Sequence, residues 1–276
     1  MSADINSQPD TARQRTATEY ARIRHQLFFL ELGLGALLLL VFLLSGLSAG
    51  LRDVLDFPRY VTVGLYAAVF ILVYLAAMAP LTVYGGFVLP RRYGLLTQSL
   101  PSWLLDAVKA EAITIVFAIM GVEVLYWFLE RFPAHWWILA AAAMLLFTVV
   151  MANLAPVLIL PLFFKLTPIK NEALAKRLTD LASRARTGVR GVYTMNQSAK
   201  GTGANAVLMG MGNTRRIILT DTLVDRCDEV EIEVVLAHEL GHHVHGDIAG
   251  GIALQSISTL VGFYLASLSL NWAVPT

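Results

Sequence analysis

Residues 136–163 read WWILAAAAMLLFTVVMANLAPVLILPLF, a stretch with no charged side chain. A helix of about 20 residues crosses a hydrocarbon core, so this run is longer than one crossing needs. Working outward, residues 27–50, 60–84 and 108–130 upstream and 248–272 downstream have the same character, and five membrane spans are expected. Composition agrees: the chain is 57% hydrophobic, only 15% charged, and has a mean hydropathy of +0.63, well above the norm for a soluble domain. A formal net charge of +1 offers no single-sign field for nucleic acid, which is excluded as a partner. One cysteine, Cys227, forms no internal disulfide and belongs to no Cys-x-x-Cys pair.

Carboxylates interrupt two of the spans. Glu31 lies in the first; Glu111 and Glu123, with Lys109, lie in the third. Glu123 reads either as facing a protein interior or as reaching water near the end of its span. The first apolar run ends in Ser45-Gly-Leu-Ser-Ala49 and could pass for a secretion signal, but it exceeds the 7 to 15 residues of a signal core and is read as an uncleaved span. Arg13, Arg15, Arg22 and Arg24 precede it, Arg91 and Arg92 sit between spans two and three, and Lys165, Lys170, Lys176 and Arg177 follow span four. The intervening loops hold only Arg52, Arg59 and Arg131, so the N-terminus and the segment after span four are expected on the cytoplasmic side. The expected organisation is a cytoplasmic N-terminus (1–26), a four-helix membrane region (27–164), a charged globular domain (165–247), and a fifth span with the chain end (248–276).

The globular stretch is where chemistry is to be sought. Asn171 opens a run with Leu174, Leu178, Leu181 and Ala185 on one face, an amphipathic helix. Residues 189–195 read as a strand, and 205–209 with 216–220 as a hairpin about Gly210-Met-Gly-Asn213. Asp228 and Glu231 form a capping box for a helix running through Val234, Val235, His238 and His242. Four residues apart, His238 and His242 project from one helix face and can hold one metal ion, while Glu239 is placed to move a proton for an activated water. His-Glu-x-x-His on a helix is the motif of zinc peptidases. His243, His245 and Asp247 crowd the same helix end; His245 reads either as a further ligand or as part of a helix terminus at the membrane interface. The pattern with a third histidine six residues after the second is absent, because that position is Ile248.

Several stretches together resemble the integral-membrane zinc proteases that include the CAAX prenyl endopeptidases and the HtpX heat-shock proteases. They are residues 156–163 with Lys165, Asn205-Ala206, Ile217-Ile-Leu-Thr-Asp-Thr222 and Val235-Leu-Ala-His-Glu-Leu-Gly-His242. Arg92-Tyr-Gly-Leu95, Thr97-Gln98, Asp106 and Lys109 resemble the N-terminal membrane region of the CAAX branch. The resemblance implies a mainly α, multi-pass membrane protein with a small α+β zincin-like catalytic domain between spans four and five. It implies one Zn2+ per chain, held by His238 and His242, with Glu239 as general base. Asn205 and Ala206 would belong to an edge strand that holds substrate backbone; by itself Asn205 also reads as a turn residue. The family's third ligand is a glutamate in a Glu-x-x-x-Asp helix beyond further membrane sequence, and no such motif follows Trp272. A truncated chain or a completing partner is therefore expected, and the chain as given is expected to be inactive. The expected partners are the lipid bilayer and a peptide or protein substrate, including prenylated ones. A bacterial cytoplasmic membrane is favoured over the endoplasmic reticulum. The rival expectations are a catalytically incomplete scaffold and a quality-control protease for misfolded membrane proteins.

Overall fold

A computed structural model describes residues 11–210 and 214–273. All five expected spans are helices long and apolar enough to cross a membrane. In chain order they are α1 (Thr11–Leu44), α3 (Arg59–Val83), α5 (Leu100–Arg131), α6 (Trp136–Leu154) and α11 (Asp247–Ala273), with the short α2 (Leu47–Val54) after the first. Their apolar side chains point outward as well as inward: Phe29, Val116 and Leu254 are each more than 60% exposed. A helix that is apolar all round meets that arrangement in lipid.

Two compact units divide the chain, the first holding the described residues up to Leu96 together with Leu100–Glu123. Within it, α3 contains Pro80 and passes into a π-helical turn, Tyr84–Val88, before α4 (Leu89–Arg92). Proline cannot donate to the helical ladder, and a π-turn absorbs the local mismatch. Gly86 in that turn lets the indole of Trp103 in: a Cβ there would sit 2.9 Å from its ring. Glu123 takes the interior alternative, with Oε1 3.1 Å from where a Cβ on Gly64 of α3 would lie.

The second unit holds Thr97–Ser99 and the described residues from Val124 onward. In its membrane part α6 continues through a π-turn that Pro156 helps open, Ala155–Ile159, into α7 (Leu160–Phe163). Helices α6 and α11 pack through edge-on aromatic pairs, Trp136 with Phe263 and Trp137 with Tyr264.

The α+β part of this unit is a four-stranded sheet in the order β1-β2-β4-β3. Its strands are β1 (Leu166–Pro168), β2 (Val192–Met195), β3 (Ala206–Met209) and β4 (Arg216–Thr220). The pair β2–β4 is parallel and the two outer pairings are antiparallel. One core joins Ile217 and Leu219 of β4, Val192 and Ala206 to Leu174, Leu178 and Ala182 of α8 (Glu172–Arg184) and to Ile232, Leu236 and Leu240 of α10 (Glu229–Val244). Ile218, alternating to the other face, is buried too, as expected of a central strand. Helix α8 begins at Asn171, whose Oδ1 accepts the Leu174 N–H at 3.0 Å. The expected capping box opens α10: Asp228 Oδ1 accepts the Glu231 N–H at 2.8 Å, and Glu231 Oε2 accepts the Asp228 N–H at 2.9 Å.

Three features depart from the sequence expectation. The strand expected over 189–195 starts at Val192, because Thr187 N–H still bonds back to Ala182 of α8. Strand β1 was not expected; its three residues carry no alternation to read. Helix α9 (Asp221–Arg226), also unexpected, directly follows β4, with Thr220 Oγ1 accepting the Leu223 N–H. The hairpin β3–β4 is present; of its expected turn, Gly210 has φ +92°, and positions 211–213 lie outside the described residues.

Asp221 binds the loop before β3 to α9. Its carboxylate accepts the Ser198 N–H and the Thr222 N–H, each at 2.8 Å, and the Ser198 hydroxyl. Partial burial works to raise its pKa, but these hydrogen bonds outweigh burial and hold the carboxyl below its ordinary value of 3.8. The unfolded chain then takes up more protons as pH falls. This stabilisation is therefore full above the ordinary value and is lost as pH drops through the depressed one. Asp221→Asn should lower the melting temperature near neutral pH and flatten its decline below about pH 4; an unaltered acid limb would remove Asp221 from this role. Leu236→Ala should cost about 2–5 kcal/mol in thermal or denaturant unfolding. The exposed Val234→Ala on the same helix should stay within about 0.5 kcal/mol, and equal losses would contradict the burial pattern.

Candidate metal centre

Helix α10 carries two four-residue rows. Ile232, Leu236 and Leu240 are buried against the sheet and α8, while Val234, His238 and His242 are exposed. A shift of two positions turns about 200° around a helix, so burying one row places the other in the open. Ion pairs hold the N-terminal half of α10 to α8. Arg177 reaches Glu229 at 2.8 Å and also Glu233, and Asn171 Nδ2 donates to Glu229 at 2.8 Å. These carboxylates raise the Arg177 pKa, the Glu233 hydrogen bond most of all.

His238 and His242 converge. Their Nε2 atoms lie 3.2 Å apart, with ring planes at 83°. Two imidazole nitrogens at about 2.05 Å from a tetrahedral ion stand about 3.3 Å from each other, so the pair has the spacing of two adjacent zinc ligands without rearrangement. Glu239 follows His238 and is half-buried. His242 Nδ1, on the far edge of the ring, is 2.6 Å from Asp247 Oδ2.

His245 caps the C-terminus of α10 and bonds the Gly241 carbonyl through Nδ1 at 2.7 Å, which supports the helix-terminus alternative. Burial and the charge of Arg215 hold the His243 imidazole below its usual pKa. Among the described residues no group of three or more His, Cys, Asp or Glu side chains is arranged to hold a metal. The structure thus brings together two imidazole nitrogens.

Helix α10 also packs against β3, the outer strand of the sheet. Asn205 stands just before β3 and is exposed; Ala206, its first residue, is fully buried. The Asn205 carbonyl accepts the Thr220 N–H at 2.9 Å, and its own N–H donates to Thr220 Oγ1 at 2.9 Å. The backbone of Asn205 is thereby directed into the sheet, and alternation directs that of Ala206 and Leu208 away from β4. Asn205 Oδ1 accepts the Ala206 N–H at 2.9 Å, covering the first outward donor. Thr220, missed in the sequence, thus ends β4, caps α9 and anchors Asn205. A threonine followed by Asp221 after an apolar run is a helix-start signal that could have found it.

Residues 2–165 match the family described as CAAX prenyl protease N-terminal, five membrane helices, and residues 168–275 match peptidase family M48. Among relatives, the uncharacterized metalloprotease YhfN of Bacillus subtilis is 31% identical over 90% of this chain and 59% of its own length. CAAX prenyl protease 1 of Saccharomyces cerevisiae is 31% identical over 67% of this chain and 41% of its own. In the crystal structure of S. mikatae Ste24p, a likeness with TM-score 0.80 and 23% identity covers 97% of this chain and 64% of that one, and it shows a shared fold. The chain therefore spans about two-fifths to three-fifths of the curated relatives named here. With four of its candidate spans inside the first match and the His-Glu-x-x-His helix inside the second, the chain belongs to the M48 peptidase family and carries that family's CAAX prenyl protease N-terminal region.

Proposed function

We propose that this chain supplies the membrane region and two of the three protein ligands of a zinc endopeptidase that cleaves peptide bonds in membrane-associated or prenylated proteins. The observation that carries this reading is the 3.2 Å approach of His238 Nε2 to His242 Nε2 on the open face of a capped helix. A zinc ion held by His238 and His242 would lower the pKa of its water toward neutrality and would polarise a peptide carbonyl. Glu239 takes the proton of the attacking water and passes it to the leaving amine. The outermost strand β3, whose half-buried Leu208 turns its backbone away from β4, aligns an extended substrate by strand addition beside α10, and Asn205 with the buried Ala206 orders the start of that strand. CAAX prenyl protease 1 relatives support a prenylated protein as substrate.

Catalytic zinc sites use three protein ligands, and the described residues bring two together. In the family that the chain resembles the third is a glutamate of a Glu-x-x-x-Asp helix. The same observation supports the rival reading, a membrane scaffold that keeps the fold without a complete centre. Glu239→Gln separates the two. In the protein with a complete ligand set this variant should retain one zinc per chain and lose hydrolysis of a prenylated peptide by at least about a hundredfold. Near-normal turnover would remove Glu239 from the reaction, and no turnover by the unaltered protein would favour the scaffold.

The α+β domain is assigned to the cytoplasmic side, because Arg91, Arg92, Lys165, Lys170, Lys176 and Arg177 concentrate on the segments expected there. In a Cys227→Ser background, an impermeant thiol reagent applied to intact cells should label Asp53→Cys and spare Lys170→Cys. The reverse pattern would invert the topology.

A further inference from the structure

Asp247 lies beyond the His-Glu-x-x-His segment, yet its carboxylate contacts that segment's second histidine. Its Oδ2 is 2.6 Å from His242 Nδ1, on the edge of the ring away from His238. We propose that Asp247 is a positioning residue of the metal centre, fixing His242 in the tautomer and ring orientation that leave Nε2 free for the metal. This inference rests on the zinc reading above.

The argument is one of donor and acceptor capacity. An ionised carboxylate only accepts, so the proton in this contact resides on Nδ1. A neutral imidazole carries one N–H, and Nε2 of His242 is then bare, the form a metal requires. In the 3.2 Å contact between the two rings, His238 is consequently the donor through its Nε2–H, and it is His238 that gives up that proton position when a metal enters. Histidine ligands commonly donate their second N–H to a carboxylate, which raises ligand basicity and holds the ring.

The chain path explains how a residue five positions after His242 can do this. Helix α10 ends at Val244, and Gly246, with φ +76°, turns the backbone in the left-handed region that glycine tolerates. Asp247 is the first residue of α11, so the turn sets its carboxylate beside the His242 ring as the last span begins. His245 does not compete for that ring edge, because its own Nδ1 is engaged with the Gly241 carbonyl. The orientation of one metal ligand is thereby tied to the first turn of a helix that packs on α6.

The test uses the full chain in detergent, as the unaltered protein and as His242→Ala, Asp247→Ala and Asp247→Asn. Zn2+ affinity is read by competition with a chromogenic chelator. Histidine tautomers are read by 15N NMR of the metal-free protein at a pH where the imidazoles are neutral. Asp247→Ala should weaken zinc binding about 10–100-fold and shift His242 from the Nδ1–H toward the Nε2–H tautomer. Asp247→Asn, whose side-chain oxygen still accepts from Nδ1, should recover most of both. Loss of binding in His242→Ala with unchanged affinity and tautomer in Asp247→Ala would overturn the proposal and leave the zinc reading standing. Equal losses in the Ala and Asn variants with an unshifted tautomer would assign Asp247 to starting α11 alone, and would also overturn it. No zinc binding by the unaltered chain would count against the zinc reading itself, while the metal-free tautomer would still decide the role of Asp247.

Discussion

One helix has to satisfy two environments at once. The row Ile232, Leu236, Leu240 of α10 is buried in the core of the α+β domain, and the row His238, His242 is exposed on the other side. The helical period makes these two facts one constraint. Any rotation of α10 that exposed Leu236 would drive the imidazoles toward the sheet, so the apolar contacts that stabilise the domain also aim the two imidazoles. The capping box at Asp228 sets where the helix starts, and Arg177 between Glu229 and Glu233 opposes rotation from outside.

The rest of the domain is arranged around that helix. Strand β4 is central and buried on both faces, which leaves β3 outermost, beside α10. Thr220 connects the two regions: its hydroxyl accepts from Asn205 and from Leu223, so the end of the central strand, the start of α9 and the approach to the outer strand share one anchor. An open strand edge in a soluble domain is usually blunted, and here Asn205 Oδ1 covers one of its donors.

Membrane and metal centre are close along the chain. Only the end of α10, the turn at Gly246 and the first residues of α11 separate His242 from the apolar run that begins at Gly250, and Asp247 lies among them. The curated relatives named above extend well beyond the length matched here.

The five spans, the capped helix and the pairing of His238 with His242 were legible in the sequence, because each rests on local rules: apolar length, a cap three residues before its partner, a spacing of four on a helix. The two short runs 205–209 and 216–220 flanking Gly210-Met-Gly-Asn213 likewise announced the hairpin. Strand β1 was not legible, since three residues carry too little periodicity, and the six residues of α9 offered only a start signal at Thr220-Asp221; both owe their form to neighbours already in place. Asp247 shows the same division. Its nearness to the histidines was visible in the chain, but its contact with His242 Nδ1 depended on the turn at Gly246 and the direction in which α11 departs. Spacing along a helix determines which side chains share a face; which atoms of two rings meet, and which proton each retains, is decided only when separate helices and strands are packed together.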